Sequence, residues 1–579
     1  MIRVSSFAGE IPRLIPRLLQ ENYAQVAQNT KLENGALLPI RRGRFITTMP
    51  QDVKAVYKNG NDWLGWPMRV DVEPGPVATE RLYITGDGKP KIRVAGTVYD
   101  LAVPRPESKL TATVNGTPND ALSSTVIFSY TYVTEFDEES EPADLSIGVM
   151  WSPGLPVTLS GFRLPPAGRN INRQRIYRSQ TSSLGDTTLY FVAERPVTAA
   201  NFAYIDTSYP MSEPLATNDY NAPPDNLQGL TSLPNGMMAA FVGKKVYFCE
   251  PYRPHAWPEK YVMTVDYTVV GLAAFGSSLA VLTEGMPYVM QGTAPDNMVS
   301  ERIEVNLPCV AAAGIVDLGY SVAYPSTKGL VTLGSGGAAV ASEQLFTQDQ
   351  WQSMSPASFV AGQFSGRYMA SYDYIDALGK GQRGMLIIDL SGTQPFLVRA
   401  SDDADAMFYE LGSGKLFIVR NKREVYEWDA ITELYGEQLW RSKKFILPTE
   451  TNFTCIMVEG EDAFTNDQRA QINAKNAAIR ARNRARIEAG KTGGAIDQMA
   501  LNTLPLAGSL LEPVQSDEPT FSATVYGDGR AVATIYHLNR VIPLPAGFTA
   551  RQWEIEIRGN QMVTGIAIAY SATEMSEGG

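Results

Sequence analysis

Acid–base and metal chemistry have few residues to work with in this chain. Its only histidines, His255 and His537, lie far apart. They form no His-Glu-x-x-His zinc motif, and no Gly-x-Ser-x-Gly nucleophile elbow accompanies them. His255 stands in Tyr252-Arg253-Pro254-His255-Ala256-Trp257-Pro258, a proline-locked aromatic loop where a structural role is expected. His537 falls in the run Ile535–Leu538 and is expected at a packed strand position. The cysteines Cys249, Cys309 and Cys455 are distant and odd in number, which implies no disulfide framework. They read as small buried apolar residues in a reducing compartment. Ser401-Asp402-Asp403-Ala404-Asp405 offers carboxylates to a hard cation but lacks the glycine and final glutamate of an EF-hand, so a solvated loop is expected. Gly334-Ser335-Gly336-Gly337 lacks the Lys-Ser/Thr of a phosphate loop and reads as a hairpin turn. No catalytic, cofactor-binding or metal-binding residue is assigned, and no cofactor is expected. Paired carboxylates for glycoside hydrolysis depend on separation in space, so a carbohydrate-active enzyme stays open as an alternative.

The sharpest concentration of charge is a predicted helix over 465–489, rich in Ala and carrying Arg469, Lys475, Arg480, Arg482, Arg484 and Arg486. Six cations could meet DNA phosphate. The whole chain, however, carries a net charge of −11, and tight DNA binding draws most of its affinity from neutralised phosphates. A basic helix on an acidic body fits complementary subunit contacts better. Arg480, Arg482, Arg484 and Arg486, with Tyr252, Arg253, His255 and Trp257 of the aromatic loop, are the candidate subunit-contact residues.

The elements that must position these residues are mostly strands. Aromatic content of 10%, with 49 Gly and 37 Pro, favours strands and tight turns. One unit recurs: an apolar strand, a turn centred on glycine, a second apolar strand. Five copies turn at Gly243, Gly276, Gly319, Gly366 and Gly412–Gly414, and a looser copy turns at Gly60. The consecutive turns are roughly 35 to 48 residues apart, the period of β-propeller blades. Between the first copy and the rest, 115–220 reads as a separate sandwich. Thr125–Thr134 alternates, with Val126, Phe128, Tyr130 and Tyr132 on one face, and further strands are expected at Leu145–Val149, Val157–Leu159, Asn172–Tyr177, Leu189–Glu194 and Ala203–Ile205. In detail it resembles a fibronectin type III domain. The expected fold is therefore mainly β: a β-propeller with an inserted Ig/fibronectin-III-like β-sandwich and a C-terminal β-domain holding a long helical insertion. Its parts are an N-terminal arm (1–44), a first blade region (45–114), the sandwich (115–220), the remaining blades (221–440) and the C-terminal domain (441–579). Gln20–Lys31 is predicted as a short helix, and the arm is expected to order only against a neighbouring subunit. No apolar run is long enough to span a membrane, and no signal peptide begins the sequence.

Assembled in order, these pieces resemble the tail tubular B or tail-nozzle proteins of short-tailed bacteriophages. The resemblance rests on Glu10-Ile11-Pro12-Arg13-Leu14 with Asn22-Tyr23-Ala24-Gln25-Val26-Ala27, on Leu32-Glu33-Asn34-Gly35, and on Asp62-Trp63-Leu64-Gly65-Trp66. It continues through Arg81–Gly88, Leu233–Met237, Phe248–Pro258, Leu544–Phe548, Trp553–Ile557 and Ile566–Ala569. It implies a virion structural protein made in the host bacterial cytoplasm. Such a protein forms a homo-oligomeric ring, commonly a hexamer, at the distal end of the tail. It implies partners too: a tail adaptor protein, tail fibres or a needle, and packaged double-stranded DNA passing through without sequence-specific binding. The alternatives are a fibre-like receptor-binding module, marked by a trimer that adsorbs to host surfaces, and a propeller carbohydrate-active enzyme, marked by turnover lost on one Asp or Glu substitution.

Overall fold

The computed structural model describes residues 1–577 apart from 33, 78–79, 182–186, 206–211, 377–378, 391–394, 462–465 and 492–518. The chain is mainly β, divided among many small antiparallel sheets with few helices.

The recurrent hairpins form. Met238–Val242 pairs with Lys245–Phe248, Val269–Phe275 with Ser278–Thr283, and Val316–Asp317 with Val322–Pro325. Val360–Phe364 pairs with Arg367–Ile375, Ala406–Glu410 with Lys415–Arg420, and Ala55–Asn59 with Asp62–Trp66. The turn glycines Gly60, Gly243, Gly276, Gly319, Gly366 and Gly414 all take φ between 57° and 87°. An L-residue with a Cβ pays about 1–2 kcal/mol in that region, which is why glycine recurs there.

Four-stranded sheets grow outward over 71–100, 228–264, 269–302 and 316–340. Their first strands lie side by side, followed in turn by Val360–Phe364, Ala406–Glu410 and Ala55–Asn59. Period-two alternation divides each central strand between two neighbours. Leu279 and Val281 pack toward Phe241, Val246 and Phe248, while Ala280 and Leu282 pack toward Val322, Tyr324 and Leu333. With both faces covered, such strands read as nearly continuous apolar runs. The sheet over 406–427 takes its fourth strand from the far end of the array: Arg44–Thr48 runs antiparallel to Glu424–Glu427.

The module over 111–205 holds three small sheets around Phe128, Tyr130, Tyr132, Trp151 and Ile176. Val126, Phe128, Tyr130 and Tyr132 share a buried face, as the alternation requires. The opposite face is buried as well, because residues 139–143 return across it. Ser140 N donates to Tyr132 O and Ala143 N to Tyr130 O, both at 2.9 Å, and Thr131 Oγ1 donates to Glu139 Oε1 at 2.6 Å. Thr111–Val114 pairs with Pro156–Ser160 and so belongs to this module. Of the expected strand Leu145–Val149, only Val149 enters a ladder; Leu145 and Ile147 are exposed.

The N-terminal arm departs from expectation. In place of a helix over Gln20–Lys31, Ala24–Gln28 is a strand. It sits between Phe396–Ala400, which it meets in parallel, and Gln438–Ser442, which it meets antiparallel. Two sheets with open edges outweigh the weak local helix preference. The arm does not wait for another subunit, since its partners lie in the same chain. Ile2–Val4 pairs with Ile566–Ile568, Leu37 exchanges backbone hydrogen bonds with Val563, and Phe7 meets the buried Trp440 ring edge-on at 4.9 Å. Glu10 is buried. Its Oε1 accepts from Ala27 N at 2.9 Å and its Oε2 from Arg399 Nε at 3.0 Å. Through the arm, the sheet over 360–400 continues into the C-terminal strands as one ten-stranded sheet. The long helix runs Asn466–Lys491, so Gly490 lies inside its last turn. The expected helix start at Thr465 lies outside the described residues.

Candidate functional site

The aromatic loop is a joint within the chain. Glu250 N donates to Ala256 O and Ala256 N to Arg253 O, both at 2.9 Å, and Trp257 Nε1 donates to Pro254 O at 2.8 Å. Tyr252 takes φ 58° while its amide donates to Gly236 O. His255 and Trp257 are 2% exposed, which removes them from the subunit-contact set; Tyr252 and Arg253 are exposed and remain in it. His255 Nε2 donates to Glu139 O of the 111–205 module at 3.1 Å. Burial, followed by the nearby Arg169, pushes the imidazole down to about 3, so it is neutral at ordinary pH. The imidazole is packed inside this joint.

Beside it, the module clamps onto the sheet over 71–100. Arg169 and Glu138 form a buried ion pair, and Arg81 approaches Glu138 at 3.8 Å while stacking over Phe136 at 4.8 Å. Burial raises the Glu138 carboxyl although both cations oppose it. His537, expected within a strand, lies beyond the end of Arg530–Ile535 and is exposed.

Arg480, Arg482, Arg484 and Arg486 are exposed on the helix, whereas Ile472, Asn476 and Ile479 form a buried stripe at i, i+4 and i+7. The helix and the aromatic loop are not brought into one site by any described contact. The Asp402–Asp405 run is ion-paired and not simply solvated: Asp402 pairs with Arg420, and Asp403 and Asp405 pair with Arg383. Cys249, Cys309 and Cys455 are buried and free, and the Gly334–Gly337 turn links two paired strands.

A feature not anticipated from sequence lies where the first strands converge. A cavity of about 440 Å³ opens between the strands that begin the successive sheets and the hairpin Ala55–Trp66. Three carboxylates line it. Asp71 Oδ1 pairs with Arg69 at 3.2 Å, and its Oδ2 accepts from Gly229 N at 3.1 Å. Glu73 Oε2 accepts from Ser232 Oγ at 2.9 Å, and Asp317 Oδ1 accepts from Gly319 N at 2.6 Å. Tyr57 and Phe408, 5.2 Å apart, form an aromatic wall. Burial above all, then repulsion from Asp71 and Asp317, pushes Glu73 up to about 7. Burial raises Asp317 too. Arg69 also lines a second cavity, of about 540 Å³. The signal was present in the sequence: Asp71 and Glu73, at i and i+2, must share one face of a strand. Among the described residues, no group of three His, Cys, Asp or Glu is arranged to hold a metal, and no helix is long and apolar enough to cross a membrane.

No known family model and no curated protein matches this chain. Among solved structures, similarity is found to BBS1N in complex with ARL6DN (9% identity, TM-score 0.21, covering 48% of this chain and 86% of that one). It is found also to PorZ, a bacterial surface component of the type-IX secretion system of Porphyromonas gingivalis (9%, TM-score 0.21, 69% and 44%). A third is the extracellular domain of the putative hybrid two component system BT4673 from B. thetaiotaomicron (9%, TM-score 0.22, 94% and 80%).

Proposed function

We propose that the chain is a closed β-propeller carrying a fibronectin III-like sandwich, and that it serves as a structural subunit of the tail nozzle of a short-tailed bacteriophage. The observation that carries this reading is the ten-stranded sheet running from the 360–400 strands, through the N-terminal arm, into the C-terminal domain. Shared backbone hydrogen bonds make these parts a single stiff body, which suits a wall under load. The antiparallel seam between Arg44–Thr48 and Glu424–Glu427 supports closure of the array, since it ties the first strand to the last sheet.

The central cavity has the volume of a small-molecule pocket, so a DNA duplex does not thread a single chain. The conduit is the lumen of a ring of copies, commonly six. The net charge of −11, facing that lumen, repels phosphate and lets the duplex slide. Ring contacts draw on Tyr252, Arg253 and the basic helix with Arg480 and Arg484. Fibres, a needle and the tail adaptor dock on the outer faces.

Native mass spectrometry and electron microscopy of the purified chain test this. A closed ring is expected, with no turnover of polysaccharide. Deleting Asp467–Ala489 is expected to leave the sheets folded and weaken the ring. A monomer that cleaves polysaccharide, with cleavage lost in Glu73→Gln, overturns the reading in favour of an enzyme seated in the central cavity.

A further inference from the structure

The central cavity has a charge imbalance that its own side chains leave standing. Among the described residues, Arg69 is the one cation lining it, and Asp71 engages it. Among the described residues, neither Glu73 nor Asp317 has an ion-pair partner. Glu73 is half-buried in the wall with Oε2 held by Ser232, its Oε1 has no protein hydrogen bond among the described residues, and Asp317 is exposed. A carboxylate that is partly removed from water gains from a nearby counter-charge, because desolvating an unpaired charge is expensive. The aromatic faces of Tyr57 and Phe408 stand in the same wall, and aromatic faces attract cations.

We propose that this cavity binds a small organic cation of the alkyl-diamine class, with Glu73 and Asp317 as its counter-charges and Tyr57 and Phe408 as its apolar walls. The volume of about 440 Å³ lies within the range of small-ligand sites. An anion would meet three carboxylates. A neutral sugar would leave Glu73 and Asp317 without a counter-charge. A bare metal ion finds no set of three ligands arranged for it among the described residues.

The raised Glu73 carboxyl fits this assignment. Near neutral pH a proton occupies the place where a positive charge is missing, and a bound ammonium takes over that role. The groups that face Glu73 are Tyr57 from the hairpin, Arg69 and Asp71 from its own segment, and Asp317 from the 316–340 sheet. The strands over 228–232, 269–275 and 406–410 add hydroxyl and apolar side chains there. Cation binding therefore expels a proton and strengthens as pH rises. With Glu73 at about 7, affinity rises about tenfold between about pH 6 and about pH 8.

The test is calorimetric titration of the full chain with putrescine at both pH values, each in two buffers of different ionisation heat. The expected result is tighter binding at the higher pH with proton release at the lower. Glu73→Gln is expected to abolish the pH dependence, and Asp317→Asn to weaken binding at both pH values. Should Glu73→Gln fail to fold, proton release by the unaltered chain decides. No binding at millimolar putrescine, equal affinity at both pH values, or preferred binding of magnesium chloride or N-acetylglucosamine would each overturn the assignment. None of these outcomes depends on ring formation, so the tail reading and this one fail separately.

Discussion

The weld between the N-terminal arm and the sheets is tested most directly at Glu10. This carboxylate accepts from Ala27 N and from Arg399 Nε. Glu10→Ala removes both acceptors. The Ala27 amide, buried in its strand, then costs about 1–3 kcal/mol as an unsatisfied donor. The Arg399 side chain is 32% exposed, so water takes over much of its solvation and the lost pairing adds only about 0–1 kcal/mol. The sum is about 1–4 kcal/mol, equivalent to roughly a 5- to 900-fold rise in the opening equilibrium. Glu10→Gln behaves differently. It keeps an oxygen for Ala27 and gives up a charge whose burial already holds the carboxyl above its usual range. The sign follows: between the unfolded and folded values the native state binds the proton more tightly, so ionisation of Glu10 opposes folding as pH rises. Glu10→Gln should therefore sit within about 1 kcal/mol of the parent at neutral pH. Because a chain of many sheets need not unfold in one step, the suitable assay is hydrogen exchange of the Ala24–Gln28 peptide. Equal acceleration by the two variants, or none by Glu10→Ala, refutes the reasoning.

Two other outcomes are expected. His255 is held at about 3, well below its unfolded value near 6.5, so the stability it supports is whole above about pH 6.5 and is lost as pH falls toward 3. At about pH 5 the loss is about 2 kcal/mol; protease sensitivity of the joint between the 111–205 module and the 228–264 sheet should follow it, and His255→Gln should flatten that slope. At Gly276, where an added Cβ would meet nothing within 4 Å, Gly276→Ala should cost only the left-handed backbone term of about 1–2 kcal/mol, read as faster local exchange in Val269–Thr283 with no change of structure.

What could be read from the sequence was local. The hairpins announce themselves because glycine at a positive φ and two flanking apolar runs lie within a dozen or so residues. The alternation of Val126, Phe128, Tyr130 and Tyr132 likewise needs no partner to be seen. Long-range pairing left no such mark. Nothing around Ala24–Gln28 signals that two open sheet edges, at Phe396–Ala400 and Gln438–Ser442, would draw it into a strand. Local propensity suggested a helix there, and tertiary pairing prevailed. The same holds for the candidate sites. Trp257 and His255 look like exposed contact residues until Glu139, more than a hundred positions earlier, closes over the imidazole. Asp71 and Glu73 share a strand face legibly, but their convergence with Asp317 depends on how separate sheets meet.

The pairing of Ile2–Val4 with Ile566–Ile568 has a consequence for synthesis. Ile2–Val4 must wait for a segment made more than 550 residues later. Until the 562–569 segment has been made, Ile2–Val4 has no partner strand, whereas Ala24–Gln28 closes the edges at Phe396–Ala400 and Gln438–Ser442 as soon as those exist. Contacts of such span close slowly, so this seam forms after the sheets it joins. A chain cut before the 562–569 segment keeps Ile2–Val4 unpaired and open to proteolysis.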